Sequence, residues 1–176
     1  MRFASIITVL SACFMMACGK PVDTPNPDKP SGGSKMDGLV QLEKLWAETT
    51  PFEVSKTRMD IFDKLQGYAD ACTSSAFKYM FDYDANKYSL TVKYDNILSC
   101  YDAAFERVLK GLKTMRPKNG EVYIWMLYNM GYVIQTPSMA FAIDVYHYRA
   151  DELAPYIDFY ASTHVHTDHK SEKLMK

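Results

Sequence analysis

From Asp37 onward the apolar residues Leu39, Leu42, Leu45 and Trp46 recur at three-to-four spacing, the period of one helix face, behind Asp37 as a cap candidate. A second helix is predicted from about residue 53 to 71, with Met59, Phe62 and Leu65 on one side. Phe77, Met80 and Phe81 suggest a third, short one. The strongest helical stretch is 94–115, where Ile97, Leu98, Tyr101, Ala104, Phe105, Val108, Leu109 and Leu112 form a continuous stripe. Arg116-Pro117-Lys118-Asn119-Gly120 ends it with a proline and a turn. The period then changes. Residues 121–128 are apolar on both faces (Val122, Ile124 and Met126 against Tyr123, Trp125 and Leu127), as expected of a strand covered on both sides. Asn129-Met130-Gly131 turns the chain into a strand at 131–137, and 139–145 reads as another, closing on Asp144. A short helix at 149–156, with Pro155 near its end, precedes a strand at 157–163. The fold class is α+β, with a helical region over 37–116 followed by a β-rich segment over 121–176.

Ahead of this lies a different kind of sequence. Met1-Arg2, then an apolar run, then Ala17 has the charged start, apolar centre and small residue of a secretory signal, too short for a comfortable membrane span. Two cysteines are candidates for the first mature, lipid-bearing residue. Leu10-Ser11-Ala12-Cys13 fits the bacterial lipoprotein pattern better in the residues before the cysteine but leaves a very short apolar centre. Met15-Met16-Ala17-Cys18-Gly19 gives a normal one and leads directly into a tether, so Cys18 is favoured with Cys13 as the alternative. An ordinary secreted protein cut near Ala17 is the third reading. Residues 18–36, with Pro21, Pro25, Pro27, Pro30 and Ser31-Gly32-Gly33-Ser34, have too few apolar side chains for a core and read as a flexible spacer. Acyl chains on the cysteine would supply about 0.8 kcal/mol per buried methylene, enough for stable attachment to a membrane of the cell envelope. Export leaves two readings for Cys72 and Cys100, a disulfide or two buried thiols.

Composition adds little beyond this. A chain of 176 residues, 48% hydrophobic and 14% aromatic, suits one globular domain behind a leader, and a net charge of −1 gives no electrostatic case for nucleic acid. No nucleophile elbow, phosphate loop or dinucleotide-binding glycine pattern is present.

The candidate chemistry sits in Thr163-His164-Val165-His166-Thr167-Asp168-His169, which holds three of the chain's four histidines. In an extended segment, side chains at i and i+2 leave the backbone on the same side, so His164 and His166 can converge on one ion. A turn after them would aim Asp168 and His169 at a second position a few ångströms away. Imidazoles with one carboxylate favour zinc, or iron or manganese, over calcium, and bind best when neutral, so affinity should fall below a pH of about 6.5. The competing reading is a solvated, His-rich end with adventitious metal affinity. His147, between Tyr146 and Tyr148, is expected to be packed or at a loop surface, not a ligand.

Two strands, the second closing on Asp144, a short helix and a strand running into His164-x-His166-x-Asp168-His169 resemble the metallo-β-lactamase superfamily, its lactonase-like branch in particular, from about residue 121 onward. The resemblance implies a half αββα sandwich. It also implies that His164 and His166 hold a first metal, that Asp168 and His169 hold a second with Asp168 orienting the attacking water, and that Asp144 supports the site from behind. The family's remaining ligands come from segments downstream of where this chain stops, at Lys176. The resemblance therefore implies an N-terminal portion with an open edge, an uncovered apolar face and no useful turnover alone. The activity implied is metal-assisted hydrolysis of a small-molecule ester, lactone, amide or phosphate. The alternative is a non-catalytic surface lipoprotein whose helical region binds a partner, the histidines at most scavenging zinc. The helices themselves read as a lid, a partner surface or packing support.

Overall fold

A computed structural model of the chain describes residues 7–8, 36–48, 55–72, 95–128 and 130–175. In chain order these form β1 (Ile7–Thr8), α1 (Asp37–Ala47), α2 (Lys56–Ala71), α3 (Asn96–Thr114), β2 (Tyr123–Leu127), β3 (Gly131–Gln135), β4 (Ala140–Ile143), the 3-10 helix η1 (Ala150–Tyr156) and β5 (Phe159–Ala161). The architecture is α+β. The short helix around 77–81, both lipidation candidates and all of the tether but Met36 lie outside the described residues. Among the described residues no helix is long and apolar enough to cross a membrane.

The helix α3 is shared by two hydrophobic cores. Its first turns contribute Ile97, Leu98, Cys100 and Tyr101 to a cluster with Leu42 and Leu45 of α1 and Ile61 and Leu65 of α2. Its second half contributes Phe105, Val108, Leu109 and Leu112 to a cluster with Trp125, Leu127, Val133, Ala142, Val145 and Leu153. One amphipathic stripe thus joins the helical region to the sheet. Asp95 starts the helix: one carboxylate oxygen accepts the amides of Ile97 and Leu98, both at 2.9 Å. The amide of Gly38 donates to Asn96 Oδ1 at 2.9 Å, tying the start of α1 to that of α3.

Two local expectations need correction. Asp37 is not the cap of α1, because Met36 occupies that position and makes no side-chain bond. Asp37 sits one residue inside, where its charge still complements the helix dipole. In α2 the buried face is carried by Ile61 and Leu65, one turn apart, while Met59 lies two residues off that stripe and is exposed.

The sheet runs in the order β1-β2-β3-β4-β5, with β2, β3 and β4 antiparallel in sequence and β1 and β5 parallel to their neighbours at the two edges. β1 belongs to the stretch expected to be removed on export. The rung Trp125, Val133, Ala142 and Tyr160 faces α3. A Cβ on Gly111 would come within 2.6 Å of the Trp125 ring, so the indole lies directly against the helix backbone. The crossover from β4 to β5 is held by Arg149, whose guanidinium reaches Asp102 (3.3 Å) and Glu106 (2.5 Å) on α3 and Glu152 (2.5 Å) in η1.

Cys72 and Cys100 are not joined in a disulfide. Cys100 donates to the Asn96 carbonyl at 3.1 Å. Burial, with Asp95 nearby, pushes both thiols up to about 12.

Candidate metal centre

Asp144 anchors the start of the histidine loop. It closes β4 with a φ of 51°, in the left-handed region that aspartate tolerates better than most residues, and its amide donates to the Ala161 carbonyl of β5 at 3.0 Å. Gly131 makes room for this corner, since a Cβ there would meet the Asp144 carbonyl at 3.1 Å and Val145 Cα at 3.0 Å. The turned-in carboxylate is 5% exposed and accepts two bonds from one residue of the next strand's exit: the Thr163 amide at Oδ1 and the Thr163 hydroxyl at Oδ2, each at 2.7 Å. His169 Nδ1 lies 3.1 Å from the same Oδ2. Burial pushes this carboxyl up, but the two Thr163 bonds and His169 outweigh it and hold the group below the usual carboxylate range.

Beyond Thr163 the chain bends instead of continuing extended, with Ser162 Oγ donating to the His164 carbonyl at 2.7 Å. The bend brings two imidazoles together, His164 Nε2 and His166 Nδ1 being 3.0 Å apart. Residues 167–169 then turn, the His169 amide bonding the His166 carbonyl, and the His169 ring folds back to 4.0 Å from that of His164. His164 and His166 are exposed, whereas His169 is buried. Asp168 is half-buried, with Oδ2 3.7 Å from His169 Nε2. The loop is fastened from the sheet side by Tyr160, whose hydroxyl donates to the His169 carbonyl at 2.6 Å and accepts the Ser171 amide at 3.0 Å.

The structure therefore gathers His164, His166 and His169 around one corner, with Asp144 behind them and Asp168 beside His169. Whether they suit a metal can be judged from distance. Zinc–nitrogen bonds of about 2.0–2.1 Å at a tetrahedral angle set two ligating nitrogens about 3.3 Å apart. His164 Nε2 and His166 Nδ1 are within a few tenths of an ångström of that spacing, so their separation suits a two-toothed ligand when both nitrogens are unprotonated. Among the described residues no three His, Cys, Asp or Glu side chains bring their donors into one coordination sphere.

His147 is packed, stacked parallel on Phe105 at 4.1 Å between ring centres, with Nδ1 accepting the Arg149 amide. It stands apart from the loop histidines. Two residues that shape the site carried no signal of their own in the sequence, Thr163 and Tyr160. A hydroxyl beside a histidine became informative only once β4 and β5 were known to lie side by side, and that pairing crosses η1.

Comparison with protein-family models, with characterised proteins and with solved structures gives no match for this chain.

Proposed function

We propose that the chain is part of a metal-dependent hydrolase of the metallo-β-lactamase superfamily, its strands one half of an αββα sandwich, held at the bacterial cell envelope by lipid on Cys18. The observation that carries this reading is the meeting of His164 Nε2 and His166 Nδ1 at 3.0 Å, backed by a buried carboxylate at the end of the neighbouring strand. A carboxylate that orients histidines from behind is the arrangement metal sites use to fix ring direction and raise ligand basicity. Zinc, or iron or manganese in its place, supplies Lewis acidity that makes water nucleophilic near neutral pH and polarises the scissile bond of a small-molecule substrate. His164 and His166 hold the first position, His169 and Asp168 the second, and the Asp168 carboxylate orients the attacking water. Two imidazoles alone grip an ion weakly, so weak binding without useful turnover is expected of these residues by themselves.

The test is metal content and zinc titration of the purified protein, with the His164→Ala/His166→Ala double variant as control. Zinc bound by the parent and lost in the double variant supports the reading. Equal binding by both, or none by the parent, removes it and leaves the second reading: a surface lipoprotein acting through its helices.

A further inference from the structure

The hydrogen-bond donors around Asp144 can be counted, and the count fixes where the protons lie. An ionised carboxylate only accepts. The Thr163 amide fills Oδ1 and the single hydroxyl proton of Thr163 is directed at Oδ2. His164 Nδ1 lies 3.0 Å from the same hydroxyl oxygen, which has no second proton to give, so Nδ1 must be the donor of that contact. A neutral imidazole carries one N–H, which leaves His164 Nε2 with a lone pair pointing at His166 Nδ1. The order of donation is therefore His166 to His164 to Thr163 to Asp144.

We propose that Thr163 is a positioning residue for His164: it relays the charge of Asp144 to Nδ1, holds the ring in the Nδ1–H tautomer and leaves Nε2 as the lone-pair nitrogen facing His166 Nδ1, whose proton an incoming ion would displace. This rests on the metal-centre reading for its purpose, though not for its test. Without the hydroxyl, His164 Nδ1 loses its acceptor and the ring keeps only its contacts with His166 and His169, which do not select one tautomer.

The tautomer can be read without any metal, from the nitrogen chemical shifts and nitrogen–proton couplings of the histidine rings in the 15N-labelled full chain at a pH of about 8, where an ordinary imidazole is neutral. The parent is expected to show Nδ1–H at His164. Thr163→Ser keeps it, and Thr163→Val gives a mixture of the two forms. Asp144→Asn makes the sharpest case. Its carbonyl oxygen must face the Thr163 amide, which can only donate, so its NH2 faces the Thr163 hydroxyl oxygen and turns the hydroxyl proton towards His164. The His164 tautomer is then expected to invert to Nε2–H. A role confined to holding the loop in shape would not produce that inversion. In parallel, zinc affinity should fall about 10-fold or more in Thr163→Val and stay near the parent value in Thr163→Ser. An Nε2–H form in the parent, or an Nδ1–H form that persists in Thr163→Val, overturns the proposal, the first of these without any variant having to fold. If the parent binds no zinc while the tautomers behave as described, the positioning role stands and the hydrolase reading alone falls.

Discussion

The two faces of the sheet are built from much the same kinds of residue and meet opposite fates. On the face towards α3, Trp125, Val133 and Ala142 are all but excluded from solvent. On the other face, the adjoining rungs Ile124, Ile134, Phe141, Phe159 and Met126, Tyr132, Ile143, Ala161 are equally apolar, yet none is buried, and Phe159 is 47% exposed. The difference is not in the strands. It lies in α3, whose stripe has somewhere to go on one side only. Alternation within a strand tells which residues share a face, whereas burial depends on what other elements bring to that face. A sheet face whose apolar side chains are only half-covered is a natural place for a further layer.

The contrast predicts unequal costs for similar truncations. Trp125→Ala, on the inner face, removes the ring that lies against Gly111 and is expected to destabilise the fold by about 3–5 kcal/mol in denaturant unfolding. If the loss were under about 1 kcal/mol, the α3-sheet contact would not be the main core.

The inner side also holds a titratable group. Burial, helped by Arg149 and Lys173, pushes His147 down to about 3. The folded value lies below the unfolded value of about 6.5, so the unfolded chain takes up the proton first as pH falls. Stability from this group is complete above about pH 6.5 and is lost progressively towards about pH 3, at about 1.4 kcal/mol per pH unit. Unfolding curves at pH of about 6.5 and 4.5 should therefore differ by about 2–3 kcal/mol from this residue. His147→Phe keeps a ring on Phe105 and should flatten the dependence by that amount. An unchanged slope would show that His147 is reached by water.

Gly111→Ala gives a smaller effect with a sign that depends on its neighbour. Alanine is the better helix former by up to about 1 kcal/mol, but the added Cβ would press on the indole at 2.6 Å, and overpacking of this kind costs about 1–3 kcal/mol. A net loss is expected in the parent and a gain in the Trp125→Ala background. Additive effects in the double-variant cycle would mean that the two do not touch.

Much of this frame was legible in the chain. The stripe of α3 was readable because a long 3.6-residue period leaves little ambiguity, and β2 to β5 were readable from short apolar runs set between turns. In α2 the stripe was misplaced from Ile61 to Met59, because a helix with few apolar residues offers two faces of similar strength and only the neighbouring α1 and α3 decide between them. At the site, the histidine run and Asp144 stood out by composition and by position at strand ends. What could not be read was the wiring. The bonds from Asp144 to Thr163 need β4 and β5 in parallel register across η1, and the meeting of His164 with His166 comes from a bend where an extended segment was expected. Both depend on contacts between distant segments, which no local period encodes.

The outer face offers the mildest test and the one that bears most directly on the contrast. Phe141 and Phe159 stack there with ring planes 6° apart and centres 4.8 Å apart, in an arrangement open to solvent on one side. Offset aromatic pairs contribute about 0.5–1.5 kcal/mol beyond area, and the exposed setting places this pair at the low end. Phe141→Ser and Phe159→Ser should each cost about 1 kcal/mol or less, with a coupling of about 0.5 kcal/mol in the double variant. An apolar fluorescent dye should bind the native parent and bind the double variant far less, because the patch and not a loosened core supplies its site. Losses approaching those of Trp125→Ala, with no dye bound by the parent, would mean that something already covers this face, and the difference between the two sides of the sheet would vanish.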